Sequence, residues 1–267
     1  MASPTEIAPK QLARLIGTPA VPALLDVRLD DDVALDPVLI PTARRIAHTD
    51  LDTLELDRSR RVVVVCHGGL KLSHGVAARL RARGLAAEVL EGGHLAWRRE
   101  GHLAVPIAAL PGVKSGTASR WVTRQRPKID RLACPWLIRR FVDPGAEILF
   151  VPSREVLAVA ERFDAEPFDV SGAPLSHRGD RCTFDAVCER FGLDTPALQT
   201  VADTVRAADF GRPEVVPEAA GLLAISLGLS RLHRDDLAQL DAGMVVYDAL
   251  FRWARDARGE HHDDSDT

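Results

Sequence analysis

The apolar positions of the first hundred residues fall into short blocks that alternate between strand and helix spacing. Pro9–Ile16 reads as a short helix, with Pro9 near its start and Gly17 just past its end. Ala23–Val27 (ALLDV) is a short buried strand. Arg61–Val65 (RVVVV) is stronger, β-branched and unbroken, as expected of a central parallel strand. Ser73–Arg83 follows at helical spacing: Val76, Ala77 and Leu80 share a face, arginines lie opposite, and Gly84 stops the helix. Ala87–Leu90 is the next strand, and Gly92 and Gly93 lead into a helix through Trp97. Strand, helix, strand at this spacing is a βαβ unit. It predicts an α/β domain whose parallel sheet is flanked by helices and joined by right-handed crossovers.

The periodicity stops at residues 106–119, where Pro, Gly, Ser and Thr collect without pattern. Beyond them the spacing is mainly helical, which predicts a mainly α (α+β) C-terminal domain. Arg131–Phe141 reads as a helix, with Pro135 tolerable only in its first turn. Ala146–Val151 reads as a strand, and Ser153–Phe163 as a helix capped by Ser153. Thr183–Phe191, Thr195–Asp209, Pro217–Leu227 and Leu240–Ala257 read as four more helices. The expected division is a domain at 1–106, a linker at 107–118, a second domain at 119–257 and a disordered acidic tail at 258–267.

Composition adds boundaries. With 267 residues, 46% hydrophobic and 27% charged, the chain has material for real cores and needs no disulfide staple. No run of about 18 apolar residues is present to span a membrane. The N-terminus lacks a basic region followed by an apolar run, so no secretory signal is expected. Four scattered cysteines without a CxxC then favour reduced thiols in the cytoplasm. The net charge of −4 conceals a split: +2 over residues 1–118, +6 over 119–140 and −12 over 141–267. The basic stretch RWVTRQRPKIDR contains Arg124, Arg126 and Lys128, which could grip an oxyanion or touch nucleic-acid phosphates. Equally, its arginines could pair with the acidic domain. No helix-turn-helix signature accompanies them, so nucleic acid is the less favoured partner.

The sharpest chemical feature is Cys66, placed where the RVVVV strand hands over to CHGGLKL and then a helix. Open α/β sheets bind ligands at the carboxyl ends of their strands. Gly68 and Gly69 let backbone N–H groups turn inward, and a helix N-terminus attracts anions and favours a thiolate. His67, Leu70 and Lys71 complete a loop suited to holding an oxyanion over a nucleophilic sulfur. This loop, the early LLDVR at Leu24–Arg28 and LEGGHLAWRREG at Leu90–Gly101 resemble the rhodanese (sulfurtransferase) domain over about residues 8–103. The resemblance implies that Cys66 accepts sulfane sulfur as a persulfide, that the loop backbone from His67 to Leu72 holds the oxyanion, and that no cofactor is required. Two departures stand out. Lys71 occupies a place where many active members carry Arg, and the familiar His-Ile-Pro-Gly-Ala stretch is here Leu39-Ile40-Pro41-Thr42-Ala43.

In the second domain, SHRGDRCTFD gathers His177, Asp180, Cys182 and Asp185 around a Gly turn and a helix start. Imidazole with carboxylates is metal-ligand chemistry, although the spacing matches no standard zinc pattern. The candidate metal set is His177, Asp185 and Asp209, for a divalent transition metal such as Zn, Fe or Mn. The structural alternative makes Thr183 a cap, Cys182 core and Asp180 an ion-pair partner of a neighbouring arginine. Several long blocks over about residues 119–255, among them RWVTRQRPKIDRLACPWLIRRFVDP and PFDVSGAPLSHRGDRCTFDAVCERFGL, resemble the C-terminal domain of the chromate-resistance protein B family. That implies a bacterial cytoplasmic protein tied to chromate resistance. Three functions remain open at this point. One is a thiosulfate-type sulfurtransferase acting on small oxyanions and a sulfur acceptor. The others are a chromate-responsive regulator and a metal-dependent redox or detoxification domain. Nothing in the sequence fixes the oligomeric state.

Overall fold

The computed structural model describes residues 5–111 and 118–260. Residues 112–117 of the expected linker, and the tail from residue 261 with its two histidines, lie outside the described residues. The chain divides into two compact units. The first runs through Ser119 and takes in the later segments Leu137–Glu147 and Arg190–Leu193. The second comprises Arg120–Trp136, Ile148–Glu189 and the chain from Asp194 onward.

In order, the first unit contains β1 (Glu6–Ile7), α1 (Pro9–Leu15), β2 (Ala23–Asp26), α2 (Asp30–Leu35), β3 (Val38–Leu39), β4 (Arg44–Arg45), β5 (Val62–Val65), α3 (Lys71–Ala82), β6 (Ala87–Leu90), α4 (Gly93–Arg99) and β7 (Val105–Pro106). One sheet has the strand order β1-β6-β5-β2-β4, with every adjacent pair parallel. The unbroken valine run is explained by its place: β5 is the central strand, and all four of its residues are fully buried. Val76, Ala77 and Leu80 of α3 pack with Val62, Val64 and Val89 in the core beneath it. The helix starts two residues earlier than its apolar period indicates, at Lys71, because the first turn exposes Lys71 and buries Ser73.

The second unit, mostly helical, contains β8 (Arg120–Arg124), α5 (Asp130–Leu137), β9 (Glu147–Val151), α6 (Val156–Phe163), β10 (Glu166–Pro167), α7 (Thr183–Phe191), α8 (Pro196–Asp209), α9 (Glu218–Leu232) and α10 (Asp236–Arg252). A small sheet runs β10-β8-β9. Its middle strand buries Trp121, Val122 and Thr123, and Val122 packs against Val156 and Ala160 of α6. Trp136 anchors the helical side. Its ring lies among Phe184, Tyr247 and Phe251 at centroid distances of 5.7–6.4 Å, and its Nε1–H donates to Asp248 Oδ1 at 2.8 Å.

Two local expectations need correction. Pro135 sits in the second turn of α5, where it withholds an N–H from the Arg131 carbonyl; beyond Leu137 the chain continues as a wider π turn over Ile138–Val142. Ser153 is not a cap: it opens a 3₁₀ turn, Ser153–Glu155, ahead of α6. No helix among the described residues is long and apolar enough to cross a membrane.

Candidate functional sites

Cys66 follows β5 directly, at the carboxyl end of the central strand. It is 5% exposed and adjoins the apolar core. Its sulfur is not sealed in hydrocarbon, because Ser73 Oγ lies 3.0 Å from Sγ and also donates to Leu70 O at 3.0 Å. A serine hydroxyl in that position can accept from a thiol or donate to a thiolate. The loop is held from the other side by α4. His94 N–H donates to Cys66 O at 2.9 Å and Leu95 N–H to His67 O at 3.0 Å.

This approach requires glycine on both sides. A Cβ on Gly69 (φ +65°) would lie 2.6 Å from Gly93 N. One on Gly93 (φ +60°) would lie 2.3 Å from Gly69 N and 2.4 Å from Cys66 O. The Gly-Gly of LEGGHLAW is thus the seat of the sulfur loop. With the loop carbonyls of Cys66 and His67 turned toward α4, no group among the described residues accepts the N–H of His67, Gly68, Gly69 or Leu70. Lys71 is exposed at the first position of α3 and has no carboxylate partner among the described residues. His67 Nδ1 is buried without a hydrogen bond among the described residues, 3.9 Å from Asp32 Oδ1.

The LLDVR segment braces the same end of the sheet. Arg28, almost fully buried, forks onto Asp26 at 2.7–3.1 Å and donates to Asp36 O and Val38 O. Burial pushes the thiols of Cys134, Cys182 and Cys188 well up, which keeps them protonated and inert.

The second constellation brings together residues that are distant in sequence. His177 Nε2 lies 3.2 Å from Asp130 Oδ2, 3.4 Å from Asp169 Oδ1 and 3.1 Å from Asp209 Oδ2. Asp130 opens α5, Asp209 closes α8, and Asp169 and His177 come from the segment between β10 and α7. Asp130 and Asp169 are held rigidly. Asp130 accepts from the N–H groups of Thr183 (2.6 Å) and Phe184 (3.3 Å), so it caps α7 from outside that helix. Asp169, at φ +52°, accepts from Thr183 Oγ1 and meets Arg124 and Arg131 at 3.0–3.2 Å. Ile129, just before Asp130, adopts φ +33°, a strained value for a β-branched residue. Ser226 Oγ accepts its N–H, and the Tyr247 hydroxyl donates to its carbonyl. Electrostatics follow the crowding. Burial and then the Asp130 charge push Asp209 up to about 6, while the hydrogen bond that His177 donates to Asp130 raises His177.

Of the expected metal set, the structure therefore joins His177 and Asp209 and places Asp185 elsewhere. Asp185 is 1% exposed, accepts the Cys182 N–H at 2.9 Å and receives a two-pronged contact from Arg206 at 2.5 and 2.8 Å. A helix starting at Thr183 turns its third residue back over its own N-terminus, not toward His177. Asp130 and Asp169 were not among the expected ligands. Asp130 carries one legible signal, as the lone carboxylate inside the basic stretch; Asp169 carries none. That stretch is largely engaged with the protein. Arg124 is on Asp169, and Arg126 donates to Ser230 O and to His233 O. Lys128 is exposed, and with Arg126 and Arg231 it lines an open cavity of about 630 Å³.

Comparison with known proteins agrees with both halves. The family model "ChrB, C-terminal domain" matches residues 121–254, half of the chain, and "Rhodanese-like domain" matches residues 8–100. Protein ChrB of Cupriavidus metallidurans is 36% identical over 172 residues. The match covers 59% of this chain and 51% of that protein, so the chain spans about half the length of this curated relative. Among solved structures, a rhodanese-related protein from Thermoplasma volcanium is 25% identical (TM-score 0.33, 38% of this chain and 96% of that one). A rhodanese-like domain protein from Staphylococcus aureus is 30% identical (TM-score 0.33, 37% and 95%). By the extent of the C-terminal match the chain belongs to the ChrB family, with a rhodanese-like domain ahead of the family domain.

Proposed function

We propose that this protein serves chromate resistance in the bacterial cytoplasm as a rhodanese-type sulfurtransferase that carries sulfur on Cys66. The observation that carries this reading is the loop itself: a sulfur at the carboxyl end of the central strand, followed by backbone N–H groups that no group among the described residues accepts, with Lys71 exposed and without a carboxylate partner among those residues.

The Cys66 thiolate attacks the outer sulfur of a thiosulfate-type donor. The donor S–S bond breaks, sulfite leaves with the bonding pair, and Cys66 is left as a persulfide. The loop N–H groups hold the departing sulfonate oxygens, and Lys71 adds a point charge without the planar two-pronged grip of arginine. An acceptor nucleophile, cyanide in the assay, then takes the outer sulfur and restores the thiolate. The Ser73 hydroxyl, which gives its hydrogen to Leu70 O and so accepts from the thiol, turns that hydrogen to the sulfur when the sulfur is anionic. Chromate, a tetrahedral dianion, fits the same amide cradle, so the loop admits it by shape and charge.

Purified protein given thiosulfate and cyanide is expected to form thiocyanate, and Cys66→Ser to fall to the uncatalysed background. Equal rates from the two proteins, or no thiocyanate from the wild type, contradict the reading.

A further inference from the structure

The constellation in the second unit has a geometry that hydrogen bonding alone leaves incomplete. His177 Nε2 faces three carboxylate oxygens at 3.1–3.4 Å, yet a ring nitrogen has one hydrogen to give. The ligand atoms of Asp130, His177 and Asp209 all lie within 4.8 Å of one another. The nitrogen-to-oxygen edges, 3.2 and 3.1 Å, match a metal coordination polyhedron: ligands at about 2.1 Å from a cation and about 90° apart stand about 3 Å from each other.

Outer contacts are also in place. Asp130 is fixed by two α7 amides, and Asp169 is fixed by Thr183, Arg124 and Arg131. The open side is formed by His177, 38% exposed, and Asp209, 18% exposed, which gives a cation a way in and leaves positions for water.

We infer that Asp130, His177 and Asp209 bind one divalent transition cation, with Asp169 as the carboxylate beside it. Two carboxylates and one imidazole, with no thiolate, favour a cation of the Mn(II) or Fe(II) kind over a structural thiolate-zinc site. This inference is independent of the chemistry at Cys66.

The test uses the whole chain, stripped with a chelator and titrated with MnCl₂ while electron paramagnetic resonance follows the signal of aqueous Mn(II). One equivalent of signal is expected to disappear. Affinity should fall roughly tenfold or more in His177→Gln and in Asp209→Asn. Glu161→Gln, at an exposed carboxylate on α6, should bind as wild type. If a variant fails to fold by circular dichroism, the wild type decides: spin-echo modulation of bound Mn(II) must show a directly coordinated imidazole nitrogen. Persistence of the aqueous signal, full binding by both folded variants, or bound Mn(II) without nitrogen coupling would overturn the site.

Discussion

Thr42 shows what a single departure does to this fold. It stands where the related stretch has glycine, adopts φ +67°, and buries a hydroxyl that finds no partner among the described residues. A left-handed β-branched residue costs about 1–3 kcal/mol, and an unmet buried hydroxyl adds to that. Thr42→Gly is therefore expected to stabilise the protein by about 1–2 kcal/mol in urea unfolding; an unchanged or lower midpoint would contradict the strain.

His94 makes a second residue-scale case. It is 1% exposed, and its Nε2 faces Asp36 Oδ2 at 2.8 Å. The carboxylate accepts, so Nε2 holds the proton, and protonating the buried, unpartnered Nδ1 would add a donor with no acceptor. Burial accordingly lowers His94 from the usual 6.5, against the raising hydrogen bond of Asp36. The unfolded chain then binds more protons below pH 6.5, and stability is lost as pH falls through the window below that value. His177 is raised and acts with the opposite sign, so a comparison within one series is needed. The unfolding free energy of wild type should decline more steeply from pH 7 to pH 5 than that of His94→Gln; equal slopes would count against a neutral buried imidazole.

At the scale of elements, the sulfur loop is a joint between β5 and two helices. α3 receives the chain after Leu70, and α4 binds the carbonyls of Cys66 and His67. Gly93→Ala places a methyl where Gly69 N and Cys66 O already stand, so α4 must leave the loop. Loss of about 2–4 kcal/mol of stability and of thiocyanate formation is expected. Gly75→Ala, in the exposed middle of α3 with nothing within 4 Å of the added carbon, should instead gain about 0.5–1 kcal/mol. Similar effects at both positions would refute the close approach.

The same elements show what was readable in advance. β5, α3 and β6 announce themselves because a fully buried parallel strand needs unbroken β-branched residues and its covering helix needs an apolar stripe. In the sequence β8 shows only as a basic stretch. Its strand-forming core, Trp121, Val122 and Thr123, is short and sits between two arginines whose guanidiniums reach protein acceptors. Charge masked the alternation.

At the scale of the whole molecule, the split of charge along the chain takes on structural meaning within the second unit. Basic residues of the stretch after Ser119 meet acidic ones from further along: Arg124 and Arg131 meet Asp169, and Arg126 takes the Asp236 carboxylate on its backbone N–H. The Cys66 loop was legible because strand, cysteine, glycines and helix are contiguous. The His177 site was half legible, since its residues come from three segments and only chain folding brings Asp130 and Asp209 to the imidazole. Asp185, close to His177 in sequence, went to Arg206 because a helix N-terminus and a guanidinium satisfy it.

The central claim is that Cys66 carries sulfur. It is tested most directly by mass spectrometry of the intact protein and its peptides after brief exposure to thiosulfate. The account predicts a gain of one sulfur atom on the peptide containing Cys66, removed by cyanide and not seen on Cys134, Cys182 or Cys188. An unmodified Cys66, or added sulfur spread equally over the four cysteines, would contradict it.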